Sequence, residues 1–339
     1  MTNYLLNVWY VAAWEEEIVG DALLARTLLD QPRLIYRKQD GGYVMLADRC
    51  PHRFAPLHMG ERHGDSITCL YHGLQFGPNG KCVHSPYSTT PPANARVAST
   101  TTVARYGLVW FWPGDPALAD PAAVPDFSFL VGQNVWRRHS SFNGNFELLV
   151  DNLMDLSHVD YLHRKSFMTS GTHAESVHEV RDGAGATLWN TWLIPRVRKF
   201  PVLEPHFPDD TPIDQHTEMR WDPPASMCLR IRWMPTGSDL SATRWTMINP
   251  HIITPETATS SHYFWSCEPD ADSEAFARLV FDGEDRPMIE AVQRTMGSAA
   301  FWDLKPVILA GDVGAVRARR RLNRLIRAER GESAGEDQG

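Results

Sequence analysis

The chain has 339 residues, with 43% hydrophobic and 22% charged residues and a formal net charge of −8. That balance is ordinary for a soluble globular protein, the length predicts two domains, and the acidity argues against a nucleic-acid partner. Five cysteines are too few and too scattered for a disulfide framework, and no apolar run reaches the ~18–20 residues of a membrane span. The apolar stretch Leu5 to Trp14 lacks a basic leader and a small-residue cleavage site. It is expected to be a strand of the first domain, and the reducing cytoplasm is the expected compartment.

Residues 1–120 read as short strands with turn signals between them, and 121–339 as a second domain. Tyr43 to Leu46 leads into Cys50-Pro-His52. After sixteen intervening residues comes Cys69-Leu-Tyr-His72. Two mixed Cys/His pairs at C-x-H and C-x-x-H spacing fit a Rieske [2Fe–2S] centre, two thiolates on one iron and two imidazoles on the other. Tetrahedral zinc also accepts two Cys and two His, but zinc sites usually group like with like. Pro78-Asn79-Gly80 is a hairpin signal after the second pair. Each ligand loop is expected at the tip of a β-hairpin. Cys82, Cys228 and Cys267 are left as small buried hydrophobes.

The Pro- and Ala-rich stretch from Pro113 to Pro125 is the expected domain connection. A helix is expected from Phe146, strands around 187–193, 227–233, 243–253 and 262–267, and helical pattern from Ser273. The whole is α+β: an all-β first domain, then an antiparallel sheet covered by helices. The segment Arg317 to Arg330 reads as an amphipathic helix with a solvated basic face, or else as a docking patch for an acidic electron carrier. The polar tail from Gly331 to Gly339 is expected to be disordered.

Within the first helical stretch, Asn152, Asp155, His158 and His163 are candidates for a second iron. Two histidines and one carboxylate form the facial triad of non-haem Fe(II) oxygenases. Positions five apart sit about 140° apart on a regular helix, so the helix must end or distort between His158 and His163. Asp285 is the candidate third ligand. It falls on a stripe with Met288, Ile289, Val292 and Met296, where an unpaired buried charge would be costly. Glu290 is expected to pair with Arg294 at the surface.

Cys50-Pro-His52-Arg53, Tyr71-His72-Gly73-Leu74 and the spacing Asn152-x-x-Asp155-x-x-His158-x-x-x-x-His163 resemble the oxygenase components of Rieske non-haem iron systems. Length, Asn7 to Ala12, Trp112 to Asp115 and Val150 to Leu153 resemble the vanillate demethylase, dicamba demethylase and toluenesulfonate monooxygenase branch. The resemblance implies a mononuclear Fe(II) held by His158, His163 and Asp285. It also implies hydroxylation of a methyl or methoxy carbon of an aromatic acid with O2. Ring dihydroxylation is the alternative, and a simple Rieske electron carrier is a remote one, since a cluster domain needs only about a third of this length. No G-x-G-x-x-G fingerprint is present, so a separate ferredoxin or flavin reductase using NAD(P)H is implied. The resemblance further implies a ring-shaped homotrimer in which Asp155 joins cluster ligand His72 of one subunit to His158 of the next. His251 and Arg230 are the candidate substrate contacts, His251 by resemblance to dicamba demethylase and Arg230 for a bidentate grip on an anion. For both, an ordinary structural role is the competing reading.

Overall fold

The structure, a computed structural model, describes residues 4–167, 175–199 and 203–332. The tail beyond 332 lies outside them. The chain forms two compact units, Met1–Val131 with Thr254–Ala258, and Gly132–Ile253 with Thr259–Gly339. The first unit thus runs past the 120/121 division expected from composition and takes in the tip of a distant hairpin.

The first unit holds strands β1 Tyr10–Trp14, β2 Leu24–Leu28, β3 Gln31–Arg37, β4 Tyr43–Ala47, β5 Glu61–His63, β6 Ser66–Thr68, β7 Gln75–Phe76, β8 Cys82–His84, β9 Ser99–Arg105 and β10 Leu108–Trp112. They form a six-stranded sheet ordered β1-β10-β9-β4-β3-β2 and a four-stranded sheet ordered β5-β6-β7-β8. Of the apolar N-terminal stretch, Tyr10–Trp14 forms the edge strand β1, buried along its whole length, while 5–9 precede it outside any strand. Gly80 turns the β7–β8 hairpin at φ +73°, and a Cβ there would meet the Val97 carbonyl at 1.9 Å, so only glycine fits.

The second unit holds β11 Trp136–Phe142, β12 Val177–Asp182, β13 Leu188–Val197, β14 Ile213–Asp222, β15 Ser226–Pro235, β16 Trp245–Thr257 and β17 Ser260–Cys267, in one sheet ordered β11-β17-β16-β15-β14-β13-β12. Alternation along the strands gives the sheet two faces. The register sets Asn190, Met219, Leu229 and Asn249 side by side on one face. Glu218, Arg230 and Ile248 lie side by side on the other. Helices α1 Phe146–Met154 and α4 Val313–Glu329 lie on the first of these faces, where Asn190 Nδ2 donates to the Met154 carbonyl. Helix α2 Ala271–Arg278 runs through a π-helical turn, Leu279–Asp285, into α3 Arg286–Met296. Strands β11, β12 and β14 carry no long apolar run and were not expected from the sequence.

Two readings of helix faces are corrected. On α3 the buried positions are Ile289 and Gln293, whereas Met288 and Val292 are exposed. Gln293 is tolerated inside because its carboxamide is used: Oε1 accepts from Asn145 N–H at 2.8 Å and Nε2 donates to the Gly297 carbonyl at 2.8 Å. Glu290 accepts from Asn143 N–H at 3.0 Å and from its carboxamide at 3.2 Å, in place of the expected Arg294 contact. On α4 three of the arginines are paired, while Arg324 and Arg327 are exposed as expected. Arg317 and Arg321 both reach Asp182, and Arg319, 6% exposed, pairs with Asp151 at 2.6 Å and Glu147 at 2.8 Å on α1. Part of the face read as solvated, Arg317, Arg319 and Arg321, therefore bolts α4 to β12 and α1.

Burial pushes the Asp151 and Glu147 carboxyls up, and only the Arg319 charge opposes it. Arg319→Met is therefore expected to leave two buried carboxylates without a cation. The cost is about 3–5 kcal/mol, read as a lower denaturation midpoint of the holoprotein.

Candidate metal centres

The first ligand loop joins β4 to β5 and so spans two sheets, where a single hairpin was expected. The second lies within the β6–β7 hairpin. Each loop closes by the same pair of main-chain bonds. Phe54 N–H donates to Cys50 C=O and Cys50 N–H to Ala55 C=O; Gly73 N–H donates to Cys69 C=O and Cys69 N–H to Leu74 C=O. The turns need a left-handed residue, Phe54 at φ +62° and Gly73 at φ +75°. Cys50 and Cys69 are buried at 2% each and within reach of one another, while the His52 and His72 rings lie outward, 4.4 Å apart. Burial pushes the Cys50 thiol up, and the N–H groups of His52 and Arg53, which point at its sulfur, oppose this. Amides aimed at sulfur favour a metal-bound thiolate.

Among the described residues, the one set of three or more ligating atoms within 4.8 Å of one another is His158, His163 and Asp285. No three of Cys50, His52, Cys69 and His72 meet that limit. A single zinc with bonds of about 2.0–2.3 Å would draw all four together. A sulfur pair inside and an imidazole pair outside instead match the two ends of a dinuclear cluster.

The second centre depends on where α1 stops. Its last helical residue is Met154, and Asp155 is extended at φ −117°, ψ 95°. A 3-10 turn, Leu156–Asp160, follows, capped by the Asp155 carboxylate, which accepts from Ser157 N–H at 3.0 Å. The helix thus ends before both histidines instead of distorting between them. His163 Nε2 lies 3.1 Å and His158 Nε2 3.8 Å from Asp285 Oδ1. Each Nδ1 is held from behind, that of His158 on the Asp155 main-chain carbonyl at 2.5 Å and that of His163 on Glu284 Oε2 at 2.8 Å. With Nδ1 donating, each Nε2 keeps its lone pair for a metal. Two nitrogens and a carboxylate on one side of a shared point are the donor set for Fe(II), with coordination positions left over.

Burial pulls His158 below the usual imidazole range, although Asp285 works against it. Burial acts the same way on His163, but hydrogen bonds and charge from Asp285 and Glu284 outweigh it and lift that imidazole above 6.5. Asn152 Nδ2 donates to Asp285 Oδ1 at 3.1 Å and so orients the carboxylate. Glu284, which also accepts from Ser166, was not singled out in the sequence. Its neighbour Asp285 is the only hint.

The Asp155 carboxylate does not meet His158, as had been expected; the main-chain carbonyl does, because the carboxylate is taken up in capping. His251 is buried on the iron-side face of β16. Its Nδ1 meets Tyr263 Oη at 2.5 Å and its Nε2 has no partner. Burial brings its pKa down to about 4, so the ring is neutral. Arg230 falls on the opposite face of the sheet, with Nη1 3.9 Å from Glu218 Oε2, a carboxylate that Arg181 and Arg232 also approach. Strand parity turns it away from the triad, and its assignment as a substrate contact is corrected.

The Rieske [2Fe-2S] domain family matches residues 8–104, and the vanillate O-demethylase oxygenase C-terminal domain family matches residues 142–328. The oxygenase component of chloroacetanilide N-alkylformylase from Rhizorhabdus wittichii is 35% identical, covering 96% of this chain and 97% of its own. The oxygenase component of dicamba O-demethylase from Stenotrophomonas maltophilia is 36% identical, covering 96% and 99%. A crystal structure of dicamba monooxygenase with non-heme iron and dicamba superposes with a TM-score of 0.82 at 33% identity, covering 97% and 99%. The chain belongs to the Rieske non-haem iron oxygenases whose catalytic half is the vanillate O-demethylase type. It is an enzyme, the oxygenase component of a multi-component system supplied with electrons by a separate carrier, and its cofactors are a Rieske cluster and a mononuclear iron. No described helix is long and apolar enough to cross a membrane.

Asp285→Ala is expected to remove the mononuclear iron and all turnover while the visible and EPR spectra of the cluster persist. Metal analysis should fall by one iron per chain. Proton competition gives a second expectation. A protonated His163 cannot ligate, and its proton is held above pH 6.5, so ferrous affinity of the emptied mononuclear site should begin to fall before pH 6.5 is reached. Below the His163 pKa the loss is about tenfold per pH unit. Ferrous titration against a competing chelator between pH 5.5 and 8 measures it.

Proposed function

We propose that the protein O-demethylates a methoxy-substituted aromatic acid in the reducing cytoplasm, fed by a ferredoxin or flavin reductase that uses NAD(P)H. None of the five cysteines is in a disulfide, which fits that compartment. One observation carries the reading: beside the triad lies an apolar sheet face whose buried histidine, His251, has a free Nε2. An aromatic ring can rest on the apolar residues while His251 holds its polar substituent. The bound iron supplies O2 activation when two electrons arrive from outside. The balance is ArOCH3 + O2 + 2 electrons + 2 protons giving ArOCH2OH and water, and the hemiacetal then releases formaldehyde and ArOH. The chain's own part is to orient three ligands, to hold Asp285 by Asn152, and to seat the methoxy carbon near the open positions. The named substrates of the relatives, vanillate and dicamba, support an O-methyl aromatic acid. A C-methyl carbon would leave as a stable alcohol.

The assembly proposed is a homotrimer with heterologous contacts closing into a ring. Asp155 would then accept from His72 of the next subunit through the carboxylate oxygen not used in capping, while its carbonyl holds His158 as described. The experiment supplies NADH and a surrogate reductase to the holoprotein with a panel of methoxybenzoates. Formaldehyde matching the phenol formed is expected, and a cis-diol product would instead favour ring dihydroxylation. Asp155→Asn should keep both metals and the trimer but slow oxidation of the reduced cluster at least tenfold.

A further inference from the structure

The iron-side face of the sheet between β13 and β17 is mostly closed. Thr217, Met219, Met227 and Trp233 are buried, and the polar groups of Gln215, Trp233 and Asn190 are used. Gln215 Nε2 donates to Thr217 Oγ1 at 3.0 Å and Trp233 Nε1 to Gln215 Oε1 at 3.0 Å, while Asn190 is spent on Met154. Within this closed face Leu229, Ile231, Met247 and Asn249 are only half-buried. Asn249 is the polar member of that opening, and its carboxamide has no hydrogen-bond partner among the described residues.

Its position follows from the register. Asn249 faces Leu229 across the β15–β16 pair and precedes His251 by two, so both side chains rise from the same face about 6.5–7 Å apart. The end of α1, which leads into the two histidines, is pinned above β13, where Asn190 holds Met154. The π-helical turn that carries Asp285 is pinned above β16 and β17, where its Phe281 ring packs 5.6 Å from both His251 and Tyr263. Asn190, Met219, Leu229 and Asn249 form one row across the strands between those anchors. The triad's Asp285 is an electrostatic neighbour of His251 and lines one cavity with Tyr263.

The chemistry of the pair follows from the Tyr263 contact. Tyr263 is buried and its hydroxyl has His251 Nδ1 as its partner; the tautomer in which the hydroxyl donates satisfies both atoms and puts the His251 proton on Nε2. His251 thus presents an N–H to the opening, and the Asn249 amide can present another. The nearby cations cannot contribute, because Arg181, Arg230 and Arg232 gather on Glu218 beneath the sheet.

We infer that Asn249 is a specificity-determining residue which, with His251, grips a hydrogen-bond-accepting carbonyl or carboxylate oxygen on the aromatic substrate. The inference rests on the proposed function, deepening it from an aromatic acid to a ring bearing an acceptor oxygen held by two neutral donors. A carboxylate and a carboxamide both satisfy the pair, and a methyl group does not.

Equilibrium dialysis of the anaerobic holoprotein tests it without turnover, using the three methoxybenzoates, the matching methoxybenzamides and the matching methoxytoluenes. At least one benzoate or benzamide should bind tenfold or more tightly than its methoxytoluene. Asn249→Leu should erase that difference, and Asn249→Asp should reject the benzoate by about a hundredfold while keeping the benzamide. The cluster spectrum and iron content of both variants certify that they fold. Should both variants bind every compound as the parent does, the Asn249 assignment fails and the aromatic-acid reading survives. Should the parent bind methoxytoluenes as tightly as benzoates and benzamides, or bind none of the panel, both fail together.

Discussion

An α-helix sets residues five apart on different faces, so His158 and His163 can share a metal only where the helix has already ended. Three contacts enforce that end. Asn190 takes the Met154 carbonyl, which removes it from continued helical bonding. The Asp155 carboxylate starts a 3-10 turn on Ser157, and Gly311 backs that carboxylate so closely that a Cβ there would lie 3.0 Å from it. The extended residue at the break also turns its carbonyl onto His158. One backbone event thus aims one ligand and frees the next turn to bring up the other.

The break is held from behind by α4. Arg319 reaches two carboxylates on α1, and Gly314 lies so close to Asn190 and Met154 that a Cβ would sit 2.8 Å from the Asn190 amide and 3.0 Å from the Met154 carbonyl. Buried ion pairs contribute little net stability compared with apolar packing, but they are intolerant of a missing partner. Here that intolerance fixes the rotation of α1 about its axis. Asp151 must face Arg319, and its neighbour Asn152 must then face Asp285.

What could be read in the sequence follows from the range over which each signal acts. The cluster ligands are two local motifs, and His158 and His163 sit in one short run, so residue types and spacing suffice. Asp285 was reached by a stripe argument whose apolar partners Met288 and Val292 turned out to be exposed; its burial comes from the π-helical turn, which periodicity at 3.6 cannot register. Glu284 was passed over because nothing local distinguishes it from a surface acid. Arg230 was misplaced because a strand pattern gives two faces but not which one meets the iron. Strands β11, β12 and β14 alternate polar residues on both faces and carry no long apolar run. Arg317, Arg319 and Arg321 of α4 read as solvated because their partners, Asp182 and the α1 carboxylates, are remote in sequence.

The α4 clamp also bears on the order in which the protein matures. Cys50, His52, Cys69 and His72 all leave the ribosome early and lie in a unit with its own sheets, which only Thr254–Ala258 completes from the later chain. The histidine pair is made midway, but the arginine that fixes its helix and the glycine that seats its last carbonyl emerge far later. Until then Glu147 and Asp151 face no cation and α1 has no fixed rotation. The nascent chain therefore offers iron two histidines without a geometry, and selective loading of the mononuclear site is deferred until α4 has docked.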